Sequence, residues 1–337
     1  MHITIPRPLS LRLIQMLPDE ATRRNSSHRS QRLIRVMHQF SAFALLCIAL
    51  LIPPSSASGQ QLWISGTNSS SIPYQPHHIG VVDLSTGNIS QQVQITGLGA
   101  NEIFTDIAWD PSGNTLWGLS YRQTPSYESF VYQINHLTGA ATLVDSITGY
   151  RMQSLAIDAL GEMLYMAPLD SAFLTSYDIV ALSFTTTPLS APLGSRGDMV
   201  FGPGGALYSS TLQFSSPFTE SIVAVDPVDG TVTSLINTGG DPQLYAMAWM
   251  NETSDLLAIG GFAGYTPSGG FPGGAGQIYS LDPLTGTITY TSTLNLAGTG
   301  FSSFIGGASV QAPEPSAGFL VMVAGLLAFR RQRPSLP

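Results

Sequence analysis

From about Leu62 to Val310 apolar residues come in short runs, alternating with polar positions and broken by turns rich in Gly, Pro, Asp and Asn. This pattern predicts β-strands throughout. The runs fall into two kinds of repeating unit. The first is an apolar strand, a polar turn and a second apolar strand, beginning at Ile107, Leu155, Met199 and Met247. With Ala108, Ala156, Val200 and Ala248 taken as equivalent, its copies are 48, 44 and 48 residues apart. A period in the forties built only from strands and turns predicts propeller blades.

The second unit interleaves with the first. Gly80 to Gly87, Val131 to Gly139, Ile222 to Gly230 and Ile278 to Gly286 each carry a strand ending in Asp or Asn, three turn residues, Gly, and the start of another strand. The Asp or Asn side chain can cap the turn, and Gly can take the positive φ that closes such a hairpin. A fifth copy, Ile179 to Ser190, keeps only the alternation. Joined, the units give four strands per blade. In one blade these are Asp106 to Asp110, Thr115 to Tyr121, Phe130 to Asn135 and Ala141 to Asp145. A lone second-type strand, Leu62 to Gly66, opens the body, and a lone first-type strand, Phe301 to Val310, ends it. Together with Ile79 to Leu84 and Ile89 to Ile95 they complete one more blade, which removes the open sheet edges of a linear array. The reading is an all-β, five-bladed β-propeller closed by both chain ends; six or seven blades would be tight for about 250 residues.

The two ends of the chain change the picture from fold to destination. Phe40 to Ile52 is an apolar stretch preceded by Arg23, Arg24, Arg29, Arg32 and Arg35 and followed by Ser55-Ser56-Ala57, the layout of a signal peptide cut by signal peptidase. At the other end Pro313-Glu314-Pro315 precedes an apolar run, Ala317 to Phe329, and then Arg330, Arg331 and Arg333. Thirteen apolar residues make a helix of about 20 Å, short of the ~30 Å bilayer core, so as a permanent transmembrane anchor it is marginal. The tail resembles the PEP-CTERM sorting signal of Gram-negative bacteria that make exopolysaccharide. The resemblance implies recognition of the Pro-Glu-Pro motif by an exosortase in the inner membrane, then delivery to the cell surface or extracellular matrix. Three regions follow: 1–57 leader, 58–311 propeller, 312–337 sorting signal.

Charge narrows the partners. The chain contains no lysine, and only Arg122, Arg151 and Arg196 lie in the body, against eighteen Asp and Glu, a balance of −15. Such a surface repels phosphate backbones, which excludes nucleic acid. The single cysteine, Cys47, lies in the leader's apolar stretch, so the exported body has neither disulfides nor thiolate ligands.

The body resembles the broad family of bacterial propellers whose blades carry a strand, an Asp-Pro-x-Thr-Gly turn and a strand, here Asp282 to Gly286. That motif marks a turn. Similar blades serve binding proteins, lactonases and quinoprotein dehydrogenases, so function must come from a site. The loops from each outer strand to the next inner strand gather at the channel mouth: Gly99 to Asp106, Gly149 to Ser154, Gly194 to Asp198, Gly239 to Tyr245 and Gly298 to Ser303. They hold the candidate binding residues Glu102, Asp106, Arg151, Arg196, Asp198, Asp241, Gln243 and Tyr245. Planar arginine donors, carboxylates and an aromatic ring suit sugar hydroxyls or a carboxylated glycan. The competing reading makes Arg151 and Arg196 structural ion-pair partners of Asp106 and Asp198.

Signals for catalysis, metal or cofactor are poor. His77 and His78, just ahead of a strand, and His136, in a turn, are expected to be exposed loop residues, and no ligand stands at metal-binding spacing from them. No nucleophile elbow, phosphate loop or dinucleotide fingerprint occurs. The glycine-rich stretch Ala263 to Gly276 reads as a solvated insertion. The expectation is a non-catalytic binding or structural protein of the envelope or exopolysaccharide matrix; the alternative is a propeller hydrolase or lactonase with carboxylates at the channel mouth.

Overall fold

A computed structural model describes residues 61–67, 76–110, 115–123, 125–169, 171–213, 219–237, 244–250, 255–260, 276–301 and 304–311. All of them belong to one compact unit, Ser58–Glu314. The leader's apolar stretch and the sorting motif with its arginines lie outside the described residues. Among the described residues no helix is long and apolar enough to cross a membrane.

Twenty strands account for nearly all regular structure. The first three are β1 (Gln61–Thr67), β2 (His77–Val82) and β3 (Ile89–Gln94). A complete blade follows: β4 (Ile103–Asp110), β5 (Thr115–Arg122), β6 (Glu128–Ile134) and β7 (Ala141–Thr148). The next comprises β8 (Met152–Ile157), β9 (Met163–Pro168), β10 (Phe173–Asp178) and β11 (Ser183–Pro188). Then come β12 (Ser195–Phe201), β13 (Leu207–Gln213), β14 (Thr219–Val225) and β15 (Val232–Asn237), and β16 (Leu244–Met250), β17 (Asp255–Gly260), β18 (Gln277–Asp282) and β19 (Thr287–Thr293). The last strand, β20 (Phe304–Gln311), returns to pair antiparallel with β1, giving the sheet order β20-β1-β2-β3. Five four-stranded antiparallel sheets result. Their inner strands neighbour one another in a closed ring: β4, β8, β12, β16, β20 and β4 again.

The predicted five-bladed ring, closed by both chain ends, is therefore present. Its core is divided. Five hydrophobic clusters each fill one interface between neighbouring blades. Strand alternation feeds two of them at once: Leu62 and Ile64 point to one interface, while Trp63 between them points to the next. Inner strands β4, β8 and β16 are buried at every residue, because blades cover both their faces. The outer strand β19 mixes exposed and half-buried positions. A second-strand side chain of one blade packs against the inner strand of the next. Trp63 stacks on Trp109 at 5.5 Å, Tyr165 meets Phe201 edge-on at 5.3 Å, and Tyr208 stacks on Trp249 at 5.8 Å.

The hairpin signature stitches blades together at their outer ends. The Asp or Asn carboxyl or amide oxygen accepts an N–H two residues on, from Ser85, Leu137, Val180, Val228 and Leu284. The turn glycine's carbonyl then accepts an N–H from the preceding blade: Thr96 to Gly139, Ser190 to Gly230 and Asn295 to Gly87, at 2.7–2.9 Å. Gly139 has φ +73°, and a Cβ there would lie 1.9 Å from the carbonyl oxygen of Gln94. Only glycine meets both conditions. In the degenerate copy the capping aspartate survives as Asp178, but Leu182 occupies the left-handed region with φ 52°.

The histidines depart from expectation. His77 is buried in β2, where its Nε2 accepts the N–H of Phe104 at 3.2 Å, and His78 beside it is half-buried. The strand starts two residues earlier than its apolar run. His136 does sit in a turn, but half-buried and edge-on to Trp63 and Trp109.

Candidate functional site

Every inner strand breaks its pairing register near its start. The shifts fall at Thr105 in β4, Gln153 in β8, Arg196 to Asp198 in β12, Tyr245 in β16 and Gly306 in β20. A bulge inserts extra residues and re-aims the side chains around it. Five bulges at one level form a waist around the channel axis. At or just past them stand the equivalent residues Asp106, Ser154, Asp198, Ala246 and Gly307.

The two aspartates fill this waist. Both are fully buried. Asp106 Oδ1 accepts the N–H of Ile107 at 2.7 Å and its Oδ2 accepts the N–H of Leu155, on the next blade, at 2.6 Å. Asp198 Oδ2 accepts the N–H of Met247, again one blade on, at 2.8 Å. The carboxyl groups thus satisfy backbone donors on the inner edges of adjacent sheets, which would otherwise be orphaned. Inner strand β12 also approaches β4 across the axis, which brings the Asp198 carboxyl against Asp106. Burial, and after it the charge of Asp198, hold the Asp106 carboxyl well above the usual carboxylate range against the pull of its N–H donors. Two like charges so close in a low-dielectric interior repel, which acts on Asp106 in the same direction as its burial. Gly307 leaves room for it: a Cβ there would lie 2.1 Å from Asp106 Oδ1.

Glu102 is also turned inward. It is 2% exposed and accepts hydrogen bonds from Ser120 Oγ and Tyr132 Oη, both at 2.7 Å. Burial, then the Glu102 carboxylate, push the Tyr132 phenol far above its ordinary value. Tyr245 is buried in its bulge, its backbone packed against Gly197. Arg196 lies at the start of β12; its side chain, together with Asp241 and Gln243, is outside the described residues.

Arg151 behaves differently. Its guanidinium lies over the ring of Tyr121, 4.7 Å from the centroid, and among the described residues it makes no ion pair. Burial raises the Tyr121 phenol, while the charge of Arg151 and hydrogen bonds with Gln123, Arg151 and Gln153 oppose that rise. The neighbouring cation, Arg122, is neutralised by Glu128 and covers Phe130 at 5.1 Å. Sequence reading missed Tyr121, Gln123 and Gln153. In a four-stranded meander the loop between second and third strands opens on the same face as the loop between blades, and that alternation was the available signal.

Among the described residues no group of three or more His, Cys, Asp or Glu is placed to hold a metal ion. No family model matches the chain, and no curated protein matches it. Solved structures do. A chain from a nidogen/laminin complex is similar at TM-score 0.51 and 12% identity, over 76% of this chain and 100% of that one. TolB from Acinetobacter baumannii gives 0.45 at 14% identity, over 74% and 56%. A luciferin-regenerating enzyme gives 0.43 at 15% identity, over 75% and 79%. These proteins differ in role, and identities this low speak to architecture alone. By its own topology the body is a five-bladed β-propeller.

Proposed function

We propose that this chain is an exported, non-catalytic binding or structural component of the cell envelope or exopolysaccharide matrix. The leader 1–57 carries it out, and the PEP-CTERM-like tail 312–337 hands it to an exosortase. One observation favours binding over catalysis. The carboxylates that could act as acid or base, Asp106, Asp198 and Glu102, are buried and engaged by the protein's own donors, while Arg151 sits near the mouth among phenol and amide groups. General acid–base work needs a carboxyl within reach of a substrate proton. Hydroxyl-rich ligands need planar donors beside an aromatic ring instead.

A glycan array probed with the purified protein tests this reading. Retention of a defined glycan class is the expected result. Turnover of lactones or glycosides, lost in Asp106→Asn, would overturn it in favour of the hydrolase alternative. For sorting, Glu314→Ala is expected to leave export intact and block tail removal, read by mass spectrometry of the C-terminal peptide.

A further inference from the structure

We propose that the shelf between the β5–β6 and β7–β8 loops binds a uronate-bearing glycan, with pyranose faces on Tyr127 and Tyr150 and a carboxylate on Arg151. The inference rests on the reading of the body as a glycan-binding scaffold and names the site and the sugar class.

Tyr127 and Tyr150 are each 42% exposed, one from each loop, on the face that carries Arg151. A tyrosine ring presents an apolar body and a polar tip, which suits it to contact a ligand. These loops are held in place. The Gly149 N–H donates to the Tyr127 carbonyl at 2.7 Å. Ser129 Oγ donates to the Tyr150 carbonyl at 3.0 Å and accepts the Met152 N–H at 2.9 Å. The Tyr150 ring is braced edge-on against Phe173 at 4.8 Å. A braced ring such as Tyr150, beside a second ring on an anchored loop, offers wide amphipathic contact at small entropic cost. The apolar C–H faces of a pyranose match such rings, and its hydroxyls match the exposed amide of Gln123.

The charge arrangement selects the sugar. The body's balance of −15 opposes polyanions in general, but its three arginines all lie at strand ends or loops on this one face, a local exception that a carboxylate can meet. Arg122 is paired to Glu128, whereas Arg151 has no ion-pair partner among the described residues and its Nε is buried without a hydrogen-bond partner. A guanidinium pinned over Tyr121 presents its remaining donors in the planar geometry that a carboxylate takes up.

The test uses the full chain in mild detergent and isothermal titration calorimetry with two probes: hexagalacturonate and its carboxyl-reduced neutral counterpart. The parent is expected to bind the acidic hexamer at least about tenfold more tightly than the neutral one. Tyr127→Ala and Arg151→Gln should each weaken the acidic probe by about tenfold, roughly 1.4 kcal/mol, with Tyr127→Phe retaining most affinity. Unchanged melting temperatures for these variants would confirm that the losses are local. If the parent binds glycans but both variants match it, the shelf assignment fails while the glycan reading stands. Equal affinity for the two probes overturns the carboxylate role. No glycan retained by the parent removes both.

Discussion

The two faces of the disc are built on opposite terms. On one, the hairpin turns repeat a single device: a capping Asp or Asn in all five blades, and a glycine carbonyl stitched to the preceding blade in at least three. On the other, bulges, loops of unequal length and all three body arginines give each blade a different rim. The acids differ too. At the turn face Asp83 is held down to about 2 by hydrogen bonds from Ser85 and Thr86, and Asp229 and Asp282 are also lowered by their turns. At the waist Asp106 is raised by burial. Repetition records what every blade needs to close the ring, and chemistry that could discriminate a ligand collects where repetition stops.

The sharpest test sets two glycines against each other. Gly139→Val at the turn face must place a side chain in the left-handed region and into the Gln94 carbonyl, and a cost above about 3 kcal/mol is expected, enough to leave much of the protein unfolded. Gly149→Ala at the loop face shares the positive φ, +88°, but meets nothing within 4 Å, and about 1 kcal/mol is expected. Denaturant midpoints compare them; equal losses would erase the distinction between faces.

The waist comes next. Asp106→Ala strands the buried N–H groups of Ile107 and Leu155, for an expected loss of about 2–5 kcal/mol in urea unfolding. The pH profile sharpens the contrast between acids. A carboxyl raised in the folded state holds a proton that the unfolded chain releases, so its contribution is fully present below the unfolded pKa near 4 and is lost as pH climbs through the folded value. The turn aspartates slope the other way, contributing above about pH 4 and failing as pH falls toward 2. Asp198→Asn, which removes the like charge beside Asp106 but not its burial, is expected to reduce the alkaline decline and leave the acid limb unchanged. Midpoints measured from pH 2 to 9 would show an undiminished alkaline decline if the Asp198 charge had no part in it.

The smallest expected effect is on stability at the mouth. Arg151→Gln should shift the midpoint by no more than about 1 kcal/mol, since a half-buried cation without an ion-pair partner among the described residues contributes mainly its stacking on Tyr121. A drop of 3 kcal/mol or more would make Arg151 part of the scaffold and move the functional boundary off this face.

Much of the architecture was legible in the chain. The 48-residue step between Ala108 and Ala156 reflects the same spacing that puts Asp106 within reach of Leu155, and the lone strands read from Leu62 and Phe301 announced the closure, although the second starts only at Phe304. The site was legible only as a neighbourhood. A carboxylate in a mouth loop reads the same whether it faces solvent or plugs the waist, because a bulge of one or two residues decides its direction and leaves no mark on hydrophobic period. Glu102 is directed inward by its pairing with Ser120 and Tyr132, which lie one and two strands away. His77 looked like loop because polar residues begin β2. Tyr127 and Tyr150 belong to no repeat at all.

The pairing of β1 with β20 has a consequence in time. Thr67 meets Phe304, so the first strand of the body keeps a bare edge until the last one exists. A chain interrupted anywhere before β20 leaves the β1 edge unpaired and is a candidate for sticking to its neighbours instead of finishing. The last strand must therefore be made before assembly can finish, and ring closure reports that the whole body is present.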